Sequence, residues 1–342
     1  QHPYSYSLQE DDFPRRVEVW NRDGELAYLV ADLPLQDQVP ISFGSVPTGR
    51  RSFSWRNDAA AELCWVEALD GGDGGAEAEL RDRVLTLAAP FAGEPVELLT
   101  LGNRYGGIMW GHDDLAFVVS WWWKTRNMKT WRVHPGDRAK APVLVNERSF
   151  QDRYNDPGRP FMHTGKYGRQ VILTADKGRT VFLRGDGASP DGDRPFVDAW
   201  NVESGAKERL FRSDAPYYES PVEVLDVKKR VLLTRRESQT EPPNYFVREL
   251  GKDKLEQKTA FPNPTPQLEG ITKELITYER ADGVPLTGTL YLPAGYDKDR
   301  DGPLPVLMWA YPTEFKSAQD AGQVTDSPYR FTRVGWWSPM MF

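Results

Sequence analysis

Apolar and polar residues alternate with a period of two in short stretches along most of the chain, and turn residues separate these stretches. The clearest example pairs residues 17–20 with residues 25–31 around the turn Asn21-Arg22-Asp23-Gly24. Alternation directs every second side chain to one face of a strand, and a turn that ends in Asp-Gly joins two such strands as a hairpin. The pattern therefore predicts a mostly β protein.

Further hairpins follow at regular intervals. Their predicted strands are residues 52–55 and 62–69, 107–110 and 115–122, 170–174 and 180–184, 196–201 and 207–211, and 222–226 and 230–235, with single strands at 130–133 and 245–250. A weak internal repeat places Trp55 and Asp58, and then Trp110 and Asp113, between two strands at a separation of 55 residues. Four-stranded units spaced by about 40 to 50 residues indicate a β-propeller with roughly five blades over residues 1–262. An all-β sandwich is the main alternative, but it does not require such regular hairpins.

A different pattern begins after a proline-rich segment. Residues 261–266, Phe-Pro-Asn-Pro-Thr-Pro, cannot form a helix and lack strand donors, so residues 263–270 are predicted to be a linker. Residues 274–280 and 286–292 then form a predicted hairpin around Asp282 and Gly283. The continuous apolar run 305–311 predicts a strand buried on both faces, as in a parallel sheet. Residues 271–342 are therefore expected to be a second domain.

Composition narrows the functional classes. A net charge of −7 and a pI near 5.4 argue against nucleic acid or an anionic membrane as partner. No apolar run approaches the roughly 20 residues that cross a bilayer, so a soluble protein is expected, in the cytoplasm or periplasm if the host is bacterial. Cys64 is the only cysteine, which rules out an intrachain disulfide and a cysteine zinc cluster. Its apolar neighbours predict a buried strand residue.

Three conspicuous motifs are interpreted as structural. Trp121-Trp122-Trp123 could stack on carbohydrate or lie at a membrane, but alternating aromatic residues in a propeller strand are expected to pack in the core. Residues 70–75, Asp-Gly-Gly-Asp-Gly-Gly, lack the ligand alternation of a calcium loop and are interpreted as a flexible loop. Residues 186–193 are interpreted as a solvated turn. The motifs thus imply no metal and no cofactor.

Several longer motifs resemble one peptidase family. Residues 278–283, Tyr-Glu-Arg-Ala-Asp-Gly, and 288–293, Gly-Thr-Leu-Tyr-Leu-Pro, resemble the start of the catalytic domain in the prolyl oligopeptidase family of serine peptidases. Residues 309–316, Trp-Ala-Tyr-Pro-Thr-Glu-Phe-Lys, narrow the resemblance to its glutamyl endopeptidase branch, and residues 51–56 and 65–73 are similar to that branch's propeller. The resemblance implies a seven-bladed propeller followed by an α/β-hydrolase sheet. This chain is then expected to cover about five blades and the first strands of that sheet.

The resemblance also implies an activity, namely cleavage of peptides after glutamate through an acyl-enzyme, with peptides as partners. Such chemistry needs a Gly-x-Ser-x-Gly elbow followed by an acid and a histidine. The sequence contains no such elbow, and its four histidines, at positions 2, 112, 134 and 163, all precede the linker. The chain is therefore expected to be a fragment whose serine, aspartate and histidine lie beyond residue 342. It is expected to be inactive alone and to pair with the rest of its catalytic domain.

Tyr311 is the candidate catalytic residue within the chain. In the family, a tyrosine just after the first central strand donates its hydroxyl to the oxyanion, and Tyr311 occupies that place by motif; the alternative is a tyrosine that packs locally at a strand end. Glutamate recognition would need cations, and Arg104, Arg126, Arg153 and Arg159 lie in suitable loops, but each is interpreted as a solvated or structural arginine instead.

Two other functions remain open. One is a non-catalytic propeller module that binds peptides or a protein partner. The other is a dipeptidyl or acylaminoacyl peptidase, or an esterase, with the same fold.

Overall fold

The computed structural model describes residues 6–252, 254–335 and 340, and strands dominate it. The strands are β1 (Arg15–Trp20), β2 (Leu26–Leu33), β3 (Arg51–Trp55), β4 (Glu62–Ala68), β5 (Asp82–Ala88), β6 (Val96–Leu101), β7 (Arg104–His112), β8 (Leu115–Trp122), β9 (Asn127–Val133), β10 (Val143–Ser149), β11 (Arg159–Pro160), β12 (Met162–Thr164), β13 (Gln170–Ile172), β14 (Thr174–Ala175), β15 (Thr180–Gly185), β16 (Phe196–Asn201), β17 (Lys207–Arg212), β18 (Tyr218–Asp226), β19 (Val231–Glu237), β20 (Asn244–Glu249), β21 (Lys254–Gln257), β22 (Thr272–Glu279) and β23 (Pro285–Leu292). The helices are α1 (Lys298–Asp301) and α2 (Ala318–Ala321), with 3₁₀ turns at Glu10–Asp12, Trp123–Thr125, Asp176–Gly178 and Pro266–Leu268.

Most strands form antiparallel sheets in which each strand pairs with the next along the chain. Strands β3 to β6, β7 to β10 and β18 to β21 each form a four-stranded meander, and β15 to β17 form a further sheet in which β11 and β14 both pair with β15. Consecutive four-stranded meanders are the blades of a propeller. The predicted fold class is thus confirmed, with the hairpin β22–β23 following the blade-like sheets. The number of blades stays a prediction.

The chain divides into two compact units. Unit 1 comprises Gln1–Phe150 and Met162–Ile172, and unit 2 comprises Gln151–Phe161 and Leu173–Phe342. The sheets β3–β6 and β7–β10 belong to unit 1. The sheets β15–β17 and β18–β21 belong to unit 2, as does the hairpin β22–β23. The predicted domain boundary at residues 263–270 remains a proposal.

Strand β4 shows how alternation builds the core of unit 1. Cys64 and Val66 pack in one apolar cluster with residues of the sheet β7–β10. Leu63 and Trp65 point the other way and pack with Val30 of β2. Successive side chains of a strand lie on opposite faces. One strand therefore contributes to two cores, one on each side of its sheet.

Unit 2 has a comparable core. Phe182 of β15, Val197 of β16 and Phe161, which directly follows β11, pack against Leu232 of β19, and all four are nearly inaccessible to solvent. The neighbouring sheets are thus joined face to face by apolar side chains. Such burial is the main stabilising contribution to a fold of this type.

Most predicted hairpins are confirmed, and one pairing is different. Residues 170–174 were expected to pair with 180–184, but β13 pairs with β12, and only β14 pairs with β15. The two short strands are separated because the Leu173 amide donates to the carbonyl of Phe161 at 2.8 Å. Alternation alone could not reveal β12, since it has only 3 residues and follows a proline.

The prediction of a buried strand at residues 305–311 is wrong for this chain. The run has no strand structure, and Val306, Met308 and Trp309 are 81%, 81% and 61% exposed. A central strand needs hydrogen-bonding neighbours on both edges and covering elements on both faces. No strand among the described residues pairs with this run. Residues 305–311 thus have the apolar pattern of a buried strand, but no element of the described chain covers them.

The predicted core positions are confirmed for Cys64 and for Trp122, whereas Trp121 and Trp123 are only half-buried. Trp122 is 8% exposed, and the guanidinium of Arg81 lies 3.7 Å from the centre of its ring. Cys64 is 1% exposed in β4. Burial raises the pKa of the Cys64 thiol to about 12. Because the thiolate is the nucleophile, this thiol is chemically protected in the folded state.

The protection of Cys64 predicts its alkylation kinetics. At about pH 8 a thiol with such a pKa is only about 10⁻⁴ ionised, so we expect iodoacetamide to label the native chain at least about 1,000-fold more slowly than the chain in concentrated urea. Intact mass against time measures both rates. Labelling of the native chain at the rate seen in urea would contradict the buried position.

Candidate functional site

Tyr311 lies at the end of the exposed apolar run and is itself 86% exposed. Its backbone belongs to no strand or helix, and its hydroxyl forms no hydrogen bond with the residues that the structure describes. The ring therefore does not pack into a core. The hydroxyl is available to a partner outside the described chain.

The segment just after Tyr311 is fixed by a single side chain. The amide of Gln151 donates to the carbonyl of Glu314 at 2.5 Å and accepts from the backbone amide of Lys316 at 3.0 Å. Ser317 then caps helix α2 by accepting from the Asp320 amide. The exposed run is thus attached firmly at its C-terminal end.

Gln323 continues this attachment. Its side chain is 5% exposed, its carbonyl accepts from the backbone amide of Arg153 at 2.7 Å, and its amide donates to Asp152 at 2.8 Å. The backbone amide of Val324 donates to the hydroxyl of Tyr154 at 2.8 Å. A segment without regular structure is therefore held by side chains that satisfy its backbone groups.

Residues 323–333 are buried by further polar contacts within unit 2. Glu237, at 0% exposure, accepts from the backbone amide of Phe331 at 3.0 Å and from Arg333 at 3.2 Å. Lys273 of β22 donates to the carbonyls of Ser327 and Arg330 at 3.1 and 2.8 Å. Burial lowers the pKa of the Lys273 amine. We call residues 323–333 the docked segment.

Three of the four candidate arginines for glutamate recognition already have structural partners. Arg104 is 2% exposed, pairs through both terminal nitrogens with Asp70 at 2.8 Å, and contacts Asp82 at 2.9 Å. Arg126 is 1% exposed and lies on the ring of Trp123 at 3.8 Å. These contacts favour the structural interpretation of both arginines.

One terminal nitrogen of Arg153 donates to both carboxylate oxygens of Asp193, at 3.0 and 2.9 Å. Asp193 is 5% exposed, so the interpretation of residues 186–193 as a solvated turn is wrong at that position. Burial, the largest influence, raises the pKa of Asp193 despite the opposing charge of Arg153. Arg153 also donates to the carbonyl of Val324 at 2.8 Å, which ties the turn to the docked segment. Arg159, by contrast, is exposed.

Asp70 and Asp82 form a buried charge cluster that the sequence did not reveal. Residues 70–75 were predicted to be a flexible loop, yet the side chain of Asp70 is 1% exposed and pairs with Arg81 as well as Arg104. Burial acts to raise the pKa of Asp70, but the hydrogen bonds and charge of Arg104 outweigh it and hold the pKa below its usual value. The stabilisation is therefore present above the unfolded pKa of about 3.9 and is lost as the pH falls through the folded value.

The weak repeat noticed in the sequence also has a physical basis. Arg56, which follows Trp55, is 5% exposed and pairs with Asp58 at 2.6 Å and with Glu62 at 3.0 Å. It also pairs with Asp113, the equivalent of Asp58 in the second unit of the repeat. One arginine thus joins the two repeats.

The described residues contain no grouping of histidine, cysteine, aspartate and glutamate arranged to hold a metal. The three described histidines, His112, His134 and His163, all belong to unit 1. No helix of the described chain is long and apolar enough to cross a membrane. The catalytic role of Tyr311 stays a prediction.

The fold defines a class: a mostly β protein built from propeller-type meanders and followed by a hairpin. Proteins of similar sequence narrow the assignment further than this fold class does. The chain is 43% identical to the "Probable glutamyl endopeptidase, chloroplastic" of Oryza sativa subsp. japonica and 42% identical to the protein of the same name in Arabidopsis thaliana, over 99% of its own length in both cases. It spans 38% and 37% of those proteins. This chain is therefore homologous to one segment of these two proteins, and the resemblance inferred from its motifs is confirmed.

Solved structures give weaker similarity, and no family model matches the sequence. Dipeptidyl peptidase 4 of Porphyromonas gingivalis has a TM-score of 0.41 at 14% identity, over 72% of this chain and 43% of that one. Oligopeptidase B of Leishmania major has a TM-score of 0.40 at 9% identity, over 74% and 40%. Both curated plant relatives are named chloroplastic, so the bacterial compartments expected from the sequence find no support there.

Asp82 offers a direct test of the buried charge cluster. Changing Asp82→Asn removes a buried carboxylate that Arg51 and Arg104 share, although Arg104 keeps its pair with Asp70, so we expect a loss of about 3 kcal/mol in the free energy of unfolding. Urea unfolding followed by tryptophan fluorescence measures it. Asp32→Asn is the matched control, because its carboxylate is 68% exposed and 4.0 Å from Arg16, and we expect less than about 0.5 kcal/mol. Equal losses would contradict a structural cluster.

Glu237 tests how the docked segment is held. In Glu237→Gln the side chain keeps its size but loses the charge that pairs with Arg333, so local opening of residues 323–333 should become about tenfold more frequent or greater. Amide hydrogen exchange of the Phe331 region reports this opening. Glu208→Gln removes an exposed partner of Arg230 and should leave that exchange unchanged. Unaltered exchange in the Glu237 variant would show that other contacts hold the segment.

Proposed function

We propose that this chain is part of a serine-type peptidase that cleaves peptides after glutamate through an acyl-enzyme intermediate. The observation that supports the proposal most is the 43% identity, over 99% of the chain, to a protein named as a glutamyl endopeptidase. The nucleophile, acid and base of the triad would come from outside residues 1–342. The sequence relatives are long enough to contain them, since this chain spans only 38% of the first.

The proposed role of Tyr311 is to stabilise the oxyanion. When a serine attacks the scissile carbonyl and a histidine accepts the serine proton, negative charge develops on the carbonyl oxygen. A hydroxyl that donates to this oxygen stabilises the transition state more than the substrate, and such a donor is typically worth about 10²- to 10³-fold in rate. The exposed hydroxyl of Tyr311 is consistent with this role, because it is not engaged within the described chain.

The exposed apolar run suggests the partner of this part of the chain. Leu304, Val306, Leu307, Met308 and Trp309 are each more than two-fifths exposed. Contiguous apolar exposure on this scale marks a surface that another element covers. We propose that the remainder of the catalytic domain covers the run and pairs with it as a strand. Residues 1–262 would then form the propeller, 263–270 the linker and 271–342 the start of the catalytic domain.

The proposal also predicts that the isolated chain has no peptidase activity. Without a nucleophile elbow it should bind peptides but not hydrolyse them. A fluorophosphonate probe, which reacts with activated serines, should label a longer protein that includes the elbow and leave residues 1–342 unlabelled. If the longer protein also stays unlabelled, the alternative of a non-catalytic binding module is favoured. Peptides that differ only before the cleaved bond would separate glutamate preference from dipeptidyl, acylaminoacyl or esterase activity.

Tyr311→Phe in the longer, probe-reactive protein tests the catalytic role. The change removes only the hydroxyl, so kcat for a glutamate-containing peptide should fall about 10²- to 10³-fold, with KM changed much less. Tyr278→Phe is the matched control, because that tyrosine is also exposed, at 51%, and lies in the hairpin strand β22. A Tyr311 variant with wild-type kcat would remove this residue from the mechanism.

A further inference from the structure

Two arginines lie directly opposite each other in the sheet of unit 2. Arg159 of β11 is the antiparallel partner of Arg184 of β15. Residues directly opposite in an antiparallel pair carry their side chains on the same face of the sheet, a few ångströms apart. Like charges in this arrangement destabilise the pair. The repulsion between these two guanidinium groups is therefore locally unfavourable for folding.

No carboxylate in the described chain offsets this cost through a salt bridge with either guanidinium. Arg159 is exposed and Arg184 is half-buried. Burial and then the charge of Arg159 lower the pKa of Arg184, and the charge of Glu223 opposes them. Glu223 is exposed and forms no salt bridge with Arg184 among the described residues. The two cations thus remain largely uncompensated.

Neutral groups hold the guanidinium of Arg184 in place. One terminal nitrogen donates to the carbonyl of Val222 at 2.6 Å, and the group lies 5.0 Å from the ring centre of Phe161. The Nε of Arg184 is buried without a partner in the described chain. Carbonyl and ring contacts orient a cation but do not neutralise it. Arg184 is therefore fixed in position without being neutralised.

The backbone around Arg159 is also constrained. Gly158 has φ +81°, and a Cβ there would lie 2.4 Å from the carbonyl oxygen of Arg184, so only glycine permits this approach of β11 to β15. Pro160 restricts the preceding residue to an extended conformation. The backbone of Arg159 is thus held opposite Arg184 before any ligand arrives, and preorganisation of this kind reduces the entropic cost of binding.

We propose that Arg159 and Arg184 form a binding site for a carboxylate side chain and that the glutamate of a peptide substrate is its ligand. Guanidinium groups bind carboxylates through planar, paired hydrogen bonds, and an anion between the two would remove their repulsion. The choice of glutamate rests on the proposed function. The site itself rests on the pairing and on the missing counter-charge.

Binding to the full 342-residue chain tests this site without any catalysis. Two coumarin-labelled peptides with blocked termini, identical except for one glutamate or glutamine, would be titrated by fluorescence anisotropy. The wild-type chain should bind the glutamate peptide about tenfold more tightly or better, as expected for a charge-assisted hydrogen bond. Arg159→Gln should abolish the discrimination. Arg179→Gln, an exposed arginine next to the other end of β15, removes the same charge and should preserve it.

Thermal unfolding separates this prediction from a loss of structure. Since Arg159→Gln relieves repulsion, its Tm should equal or exceed that of the wild type even though glutamate selectivity is lost. Arg184→Lys keeps the charge but not the planar donor pair, and it should lower the selectivity as well. The site is refuted if wild-type chain binds both peptides equally, or if Arg159→Gln retains the preference. Either result leaves the peptidase proposal to be decided by the probe-labelling experiment.

Discussion

The period of two along each strand is the constraint on which the molecule depends. In β4 it sends Cys64 and Val66 to one apolar cluster and Leu63 and Trp65 to another. A sheet between two cores must be apolar on both faces, and a register slip by one residue would exchange every side chain between them. The meander order is compatible with this demand because each strand pairs with its sequence neighbour. Regular hairpins and doubly buried sheets are therefore two consequences of one pattern.

Buried ion pairs fix the segments that lie outside the strands, where no alternating pattern applies. Asp70 belongs to a glycine-rich loop, and Glu237 receives a segment without regular structure, yet both carboxylates are buried with arginine partners. Such pairs contribute little net stability relative to apolar packing, but breaking one is costly. These pairs determine where a loop lies, because the loop can adopt only the arrangement in which its carboxylate contacts the cation.

Local signals in the sequence were sufficient for most hairpins but not for the charge clusters. The turn at Asp23-Gly24 and the turn at Asp282-Gly283 predict β1–β2 and β22–β23 because a hairpin is decided within about ten residues. Arg104 and Asp70 are 34 positions apart, so no short pattern could pair them. Strand β12 was missed because its 3 residues are too few to show a period of two. The sequence motif identified Tyr311 as a candidate but could not determine whether the apolar run before it forms a buried strand.

Hydrophobicity alone does not decide burial in the last part of the chain. Val306 is 81% exposed, whereas Val324 and Phe331 are 3% and 6% exposed, although none of the three lies in a strand or helix. The difference is that the docked segment finds polar partners for its backbone, from Tyr154 and Glu237, and the run before Tyr311 finds none in the described chain. Apolar side chains can be buried only where the accompanying amides and carbonyls are satisfied. Residues 305–311 could therefore form a strand only beside a hydrogen-bonding neighbour, which the described chain does not provide.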